Sequence, residues 1–439
     1  MQPMHTIPAR GGLNYDETPF LAIWEITQSC DLACKHCRAA AQPLAHPDEL
    51  TNTQAKILID QISDMKIPIF VFTGGDPMKR KDIYELVEYA SKKGVHVAVT
   101  PSATPLLTRE AIFKMKAAGV VRLGISLDGS TPEIHDHFRG LSGAWERTIQ
   151  AIGWAGEAGL PIQVHTTISR HNMNDLDNLC NLFETLNIVM WNVFFLIPVG
   201  RGQLDDLPTG EEFEQVFGKI YELSQRASFQ VKTTEAMHYR RYLIQNKLEE
   251  KKAGHPGGHP GGHPGGQPGG HPGAQADAAL EGHDSRRPAM APQENPMASA
   301  PAYEGGDPLA STHERNMGWA TRRVNDGKGF MFISHTGNVY PSGFLPIHAG
   351  NIKQTPLADI YREAPIFKAL RDTSRLEGKC GACEFKEICG GSRARAYALT
   401  GDPLAPESCC IYQPKHWDPE TEQTAEAFHH HEFEPLVKL

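Results

Sequence analysis

Cys30, Cys34 and Cys37 fall within eight residues of one another, and Cys380, Cys383 and Cys389 form a second set, followed about twenty residues on by Cys409 and Cys410. Thiolates so closely spaced are soft ligands suited to iron or zinc. The triad can hold three irons of a 4Fe-4S cluster and leave the fourth iron open for an exogenous ligand, and an open coordination site means chemistry rather than structure. Three ordinary cysteines or a zinc site are the alternatives. Four thiolates from the second set can close a further 4Fe-4S cluster that serves electron transfer or structure. A four-cysteine zinc site has similar spacing and stays open as the alternative there. The remaining cysteine, Cys180, falls on the apolar side of a helical pattern and reads as core.

The elements that must position these groups follow from hydrophobic periodicity. From Phe20 to Phe195, short apolar or β-branched runs alternate with helical patterns, the signature of βα units and a parallel sheet. The expected strands are 20–26, 69–72, 95–100, 121–127, 162–168 and 189–195. Between the first two, Ala55, Leu58, Ile59 and Ile62 recur at helical spacing. Further helices are expected over 83–90, 109–118, 144–158, 175–186 and 211–224. Six units make either an open doubly wound sheet or an incomplete barrel, and periodicity does not choose between them.

Composition bounds the rest. A chain of 439 residues has room for two or three domains, and a formal net charge of −9 argues against a nucleic-acid footprint. No window approaches 18 consecutive apolar residues, so no membrane span is expected. The first ten residues lack a basic stretch followed by an apolar one, so a cytoplasmic setting with free or metal-bound thiols is expected. Residues 254–305 are rich in Gly, Pro, Ala and His and repeat a unit that begins as His255-Pro256-Gly257-Gly258. That composition buries little surface and reads as a passive linker, with weak nickel or zinc binding by the imidazoles as the alternative. A hairpin is expected from Phe330–Ser334 to Gly337–Tyr340.

Cys30-x3-Cys34-x2-Cys37 after the first strand resembles the signature of the radical SAM enzymes, and the likeness covers most of residues 18–200. The resemblance implies a partial (β/α)6 barrel and a 4Fe-4S cluster whose unique iron is chelated by the amino and carboxylate groups of S-adenosylmethionine. Reductive cleavage would then give methionine and a 5′-deoxyadenosyl radical that abstracts a substrate hydrogen. Many members carry an aromatic residue where this chain has His36. Thr73-Gly74-Gly75-Asp76-Pro77 is similar to the family's GGEP motif, which contacts the amino group, with Asp76 in place of the usual Glu. By the same resemblance Ser102 lies near the ribose, Ser126 contacts S-adenosylmethionine, and Ile197-Pro198-Val199-Gly200 lies against adenine. Ser126-Leu127-Asp128-Gly129 and the segment ending in Arg139-Gly140 resemble the SLDG and D-x-x-R-G segments, which makes Asp128 and Arg139 active-site residues. The plain alternative is that Asp128 caps a turn and Arg139 pairs with Asp136.

The second cysteine set resembles the SPASM and twitch domains, which hold auxiliary clusters. Full SPASM domains use seven cysteines and a G-x4-C element, whereas Gly337-x4 ends here at Ser342, so one auxiliary 4Fe-4S cluster is implied, held by Cys380, Cys383, Cys389 and Cys410. Cys410-Ile411-Tyr412 matches the related C-x-Y pattern, leaving Cys409 spare. The stretches 340–345 and 390–397 resemble the tetrapyrrole-biosynthesis branch. That implies a tetrapyrrole heme precursor as substrate, with its carboxylates on Arg240 and Arg241, and a low-potential electron donor such as ferredoxin or flavodoxin. Maturation of a ribosomal peptide or protein is the enzymatic alternative, and non-catalytic zinc or nickel binding the alternative of another class. The expected organisation is an N-terminal arm (1–17), barrel core (18–205), helical connector (206–253), linker (254–305), auxiliary-cluster domain (306–414) and polar tail (415–439).

Overall fold

The computed structural model describes residues 13–253, 323–415 and 417–418, so the HPGG repeat and most of the expected tail lie outside the described residues. The six expected strands form as β1 (Leu21–Glu25), β2 (Ile69–Thr73), β3 (Val97–Val99), β4 (Arg122–Ser126), β5 (Ile162–Ile168) and β6 (Met190–Phe195). Each pairs in parallel with the next in chain order. The intervening helices are α1 (Asn52–Asp64), α2 (Ile83–Lys92), α3 (Arg109–Ala118), α4 (Pro132–Arg139), α5 (Ala144–Glu157) and α6 (Leu176–Thr185). This is the partial (β/α)6 barrel.

Strand alternation and helical periodicity meet in one core. On β1 to β3, Trp24, Phe70, Phe72, Val97 and Val99 are buried in the same cluster as Ala55, Leu58, Ile59 and Ile62 of α1. Burying each large apolar side chain contributes about 1.5–3 kcal/mol. Thr51 starts α1 with a reciprocal capping box to Gln54, which fixes where the chain turns into its first helix. Cys180 is fully buried on α6, as its apolar helix face predicts.

Two features extend the sheet beyond the six strands. The expected connector holds α7 (Gly210–Arg226), then a seventh parallel strand, β7 (Gln230–Thr234), paired with β6, then α8 (Tyr239–Ala253). The expected hairpin forms as β8 (Phe330–Ile333) and β9 (Asn338–Tyr340). β8 pairs in parallel with β1, Leu21 opposite Phe330, and β10 (Gly350–Asn351) completes a ten-stranded sheet. The C-terminal region therefore shares its sheet with the barrel. It continues as α9 (Leu357–Glu363), α10 (Pro365–Arg371), α11 (Gly378–Ala382) and α12 (Arg393–Thr400).

Candidate active site and cysteine centres

The triad leaves β1 as a loop held on several sides by backbone. Cys30 N donates to Gln42 O at 2.8 Å, Lys35 N to Phe138 O at 3.0 Å, and Arg201 N to Cys37 O at 2.9 Å. Gly200, in the segment after β6 that includes Pro198, has φ +63°, and a Cβ there would lie 2.4 Å from Cys37 O, so only glycine lets that segment close onto the cysteine loop. Donors face the sulfurs: Leu32 N lies 3.4 Å from Cys30 Sγ, Ser102 Oγ 3.7 Å from the same atom, and Arg139 Nη1 3.7 Å from Cys34 Sγ. Burial pushes both thiols up, and the Arg139 guanidinium works against this at Cys34. Sulfurs supplied with N–H and cationic donors are what thiolates bound to iron require, so the residues fit a cluster. His36 does take the aromatic position, stacking on Phe138 at 4.2 Å and 7°.

The Gly74-Gly75-Asp76-Pro77 turn is stitched to that loop. Gly75 N donates to Thr27 O at 2.8 Å and Asp76 N to Ser29 O at 2.7 Å. A Cβ on Gly75 would lie 2.4 Å from Ser29 O, so the approach these glycines permit is to neighbouring backbone. Asp76 is fully buried, with its carboxylate accepting from Met78 N at 3.1 Å and Thr104 Oγ1 at 2.7 Å, and Pro77 opens a single 3-10 turn behind it. Ser102 N lies 3.4 Å from the same carboxylate, and Ser102 Oγ donates to Gly75 O at 2.9 Å. Asp76 thus ties the loop after β3 to the loop after β2. Thr104, which completes the tie, carried no functional assignment in the sequence.

Asp128 and Arg139 converge from the end of β4 and the last turn of α4. They form an ion pair in which Asp128 is fully buried, and Arg139 reaches on to Cys34. Burial raises the Asp128 pKa while Arg139 opposes it, and the carboxylate pushes the guanidinium pKa up. The expected alternative partner, Asp136, instead accepts from Gly143 N at 2.6 Å and Trp145 N at 2.8 Å, where it anchors the start of α5. Thr167 N holds the other Asp128 oxygen at 2.7 Å, and Asn172 Nδ2 holds its carbonyl at 2.9 Å. His135, one turn before Arg139 on α4, accepts from Asp128 N at 3.0 Å through Nδ1, and burial drops its pKa to about 3. The SLDG and D-x-x-R-G resemblance pointed to Asp128 and Arg139, while His135, four residues before Arg139 on the same helix, carried no assignment. Ser126, at the end of β4, sits opposite His165 of β5.

In the C-terminal region Cys380, Cys383, Cys389 and Cys410 line one cavity. Cys409 is turned away, its sulfur 3.9 Å from Pro208 O. Backbone N–H groups approach three of the four lining sulfurs: Glu407 N to Cys380 at 3.3 Å, Phe385 N to Cys383 at 3.4 Å and Gly391 N to Cys389 at 3.3 Å. This donor set fits a closed cluster. Ser342 is buried, and Ser392 Oγ donates to Glu235 Oε2 at 2.6 Å.

The expected carboxylate-binding arginines are engaged elsewhere. Arg240 donates to Ile388 O at 2.9 Å and Val324 O at 2.6 Å, which fastens α8 to the C-terminal region. Arg241 pairs with Glu214, bonds Gln245 at 2.8 Å and stacks over Tyr412 at the cavity rim. Both guanidinium groups are thus engaged by protein partners, Arg240 by backbone carbonyls and Arg241 by Glu214 and Gln245.

A parallel partial barrel with a three-cysteine loop at the strand ends, joined to a four-cysteine cavity, defines the class, and the chain belongs to the radical SAM superfamily. Residues 24–183 match that superfamily and residues 325–384 match the SPASM iron-sulfur cluster-binding domain, with Cys389 and Cys410 beyond the matched stretch. The AdoMet-dependent heme synthase of Nitratidesulfovibrio vulgaris is 36% identical over 91% of this chain and 94% of its own length. That of Methanosarcina barkeri is 36% identical over 90% of this chain and 97% of its own. In fold, the chain resembles SuiB of Streptococcus suis bound to S-adenosylmethionine, with a TM-score of 0.61 and 15% identity over 90% of this chain and 78% of that one. Membership sets aside the reading as a non-catalytic zinc or nickel binder: the chain is a radical SAM enzyme with 4Fe-4S clusters.

Proposed function

We propose that this enzyme modifies a tetrapyrrole heme precursor. The observation that carries the reading is near-full-length identity with AdoMet-dependent heme synthases, spanning both cysteine sets. When bound, the barrel cluster supplies the electron that splits S-adenosylmethionine into methionine and a 5′-deoxyadenosyl radical.

The chain's own residues have separate tasks. Cys30, Cys34 and Cys37 ligate three irons. Arg139, beside Cys34 and paired with Asp128, is the side chain that would hold a carboxylate of bound S-adenosylmethionine, the pairing for which a planar fork is suited. His135 and Thr167 keep Asp128 oriented toward Arg139. Gly74, Gly75, Asp76 and Pro77 hold Ser102 against the cysteine loop, so in this reading Asp76 positions the cofactor site without touching the cofactor. Ser126 and Pro198 bound the site from β4 and from the loop after β6. Cys380, Cys383, Cys389 and Cys410 hold one auxiliary cluster. Residues 18–205 and 306–414 are the barrel and auxiliary units, a ferredoxin or flavodoxin is the electron donor, and the setting is the cytoplasm. No described helix is long and apolar enough to cross a membrane.

The test is anaerobic turnover with S-adenosylmethionine, a low-potential reductant and iron coproporphyrin. Formation of 5′-deoxyadenosine in step with a new porphyrin product is expected. Deoxyadenosine formed with the porphyrin left unchanged would end the tetrapyrrole reading and leave peptide maturation in its place.

A further inference from the structure

His238 is a side chain of the four-cysteine cavity that has no polar partner. It immediately precedes α8, and Tyr242 N donates to its carbonyl at 3.2 Å, which holds its backbone at the start of that helix. The ring is 1% exposed and packs against two aromatic neighbours, stacked on Phe213 with centroids 5.2 Å apart and edge-on to Phe217 at 4.8 Å. It lines the cavity together with Cys380, Cys383, Cys389 and Cys410. Neither of its ring nitrogens has a hydrogen-bond partner among the described residues. Two charged side chains of the same wall are committed elsewhere. Glu407 Oε1 accepts from Cys409 N at 3.1 Å, and its Oε2 accepts from Ser392 N and Arg395 Nη1, each at 2.9 Å. Arg241 is held by Glu214 and Gln245.

An imidazole carries at least one N–H in either protonation state and either tautomer, and a buried donor without an acceptor costs free energy. The acceptor that the cavity's own chemistry calls for is sulfur, since a 4Fe-4S core bound by four thiolates brings both sulfide and thiolate sulfurs. Backbone N–H groups of the C-terminal region already approach Cys380, Cys383 and Cys389. His238 comes instead from the barrel side, out of the segment that joins β7 to α8. From this unpartnered ring we infer that His238 donates an N–H hydrogen bond to a sulfur of the auxiliary cluster, so that the barrel side of the chain completes the donor set of a site whose ligands all lie in the C-terminal region. A hydrogen bond to a cluster sulfur favours the more negative, reduced state, so this one raises the reduction potential of the cluster. The inference rests on the reading of Cys380, Cys383, Cys389 and Cys410 as cluster ligands.

The test uses the reconstituted full-length chain with Cys30, Cys34 and Cys37 replaced by Ala, so that the reduced auxiliary cluster alone gives the EPR signal, with iron counted on every sample. Histidine labelled with nitrogen-15 in the ring should give a weak hyperfine coupling to that signal, alongside a proton coupling that exchanges in deuterated buffer; among the described residues, His238 is the histidine lining the cavity. His238→Phe should keep about four irons, lose both couplings and move the midpoint to more negative potential. His238→Gln, whose amide can donate, should return the midpoint toward the starting value. The couplings of the chain that retains His238 remain readable even if His238→Phe sheds its iron. No nitrogen coupling in that chain, a coupling as strong as a direct iron–nitrogen bond gives, or a midpoint unmoved in an iron-replete His238→Phe overturns the inference. Absence of auxiliary iron in the chain that retains His238 would instead overturn the ligand reading on which it rests.

Discussion

At the scale of single residues, the Arg139–Asp128 pair separates a structural from a chemical role. Arg139→Met leaves Asp128 buried without its partner, which costs about 3–5 kcal/mol of stability. Adding Asp128→Asn should recover much of that loss in a denaturation experiment. It should not recover S-adenosylmethionine cleavage, because the guanidinium is still missing; removal of one such donor lowers rate by roughly 10²–10³-fold. Recovery of both together would reduce the pair to a structural one. Cys409→Ser and Cys410→Ser make a second contrast, read by iron content: Cys410→Ser should lose auxiliary iron, and Cys409→Ser should keep it. The cysteine sets were legible in the sequence because ligands a few residues apart are constrained by the chain itself. The Asp128–Arg139 contact was only half legible, since Asp136 lies closer in sequence and only the fold shows it committed to the start of α5. Arg240 and Arg241 misled for the converse reason: adjacent cations suggest an anion, and only packing shows that carbonyls and Glu214 occupy them.

At the scale of elements, α4 and β5 each carry a histidine held neutral beside the site, His135 buried and His165 half-buried, which sets a pH dependence. His135 and His165 both have pKa values lowered to about 3, chiefly by burial, against about 6.5 in an unfolded chain. Between these values the unfolded chain binds protons that the folded one does not. Stability is therefore full above about pH 6.5 and falls as pH drops toward 3, by up to about 1.4 kcal/mol per pH unit for each histidine. Urea midpoints measured from pH 7.5 to pH 5 should decline, and His165→Gln should flatten the decline; a flat parent profile would refute the assignment. The strands of the barrel were legible because each is a short apolar run between turns. β7 was not, because Gln230–Thr234 is mostly polar and sits between two strong helices, where local pattern favours a helical connector. The pairing of β8 with β1 was beyond any local signal, since a strand's periodicity shows which face is buried and not which edge it joins. Truncation at residue 253 should therefore strip β1 of a neighbour and yield aggregated protein on size exclusion.

At the scale of the whole molecule, two loaded centres require roughly eight irons per chain after anaerobic reconstitution. About four should remain when Cys30, Cys34 and Cys37 are all replaced by Ala. About four irons and one zinc in the parent would make the C-terminal set a zinc site. Deleting residues 254–300, whose composition offers little to bury, should leave the iron count and deoxyadenosine formation at parent levels; loss of both would give the HPGG repeat a role beyond linking.

The seam between β1 and β8 also bears on how the protein is made. On the ribosome, the cysteine triad emerges early, and the loop that closes over it is complete once Arg201 has been synthesised. The strand beside it waits until Phe330 for its second neighbour, and the four-cysteine cavity is not closed until Cys410. A nascent chain thus carries that strand edge open from β1 until Phe330 is made, and the residues of the cysteine triad are all in place before those of the four-cysteine cavity.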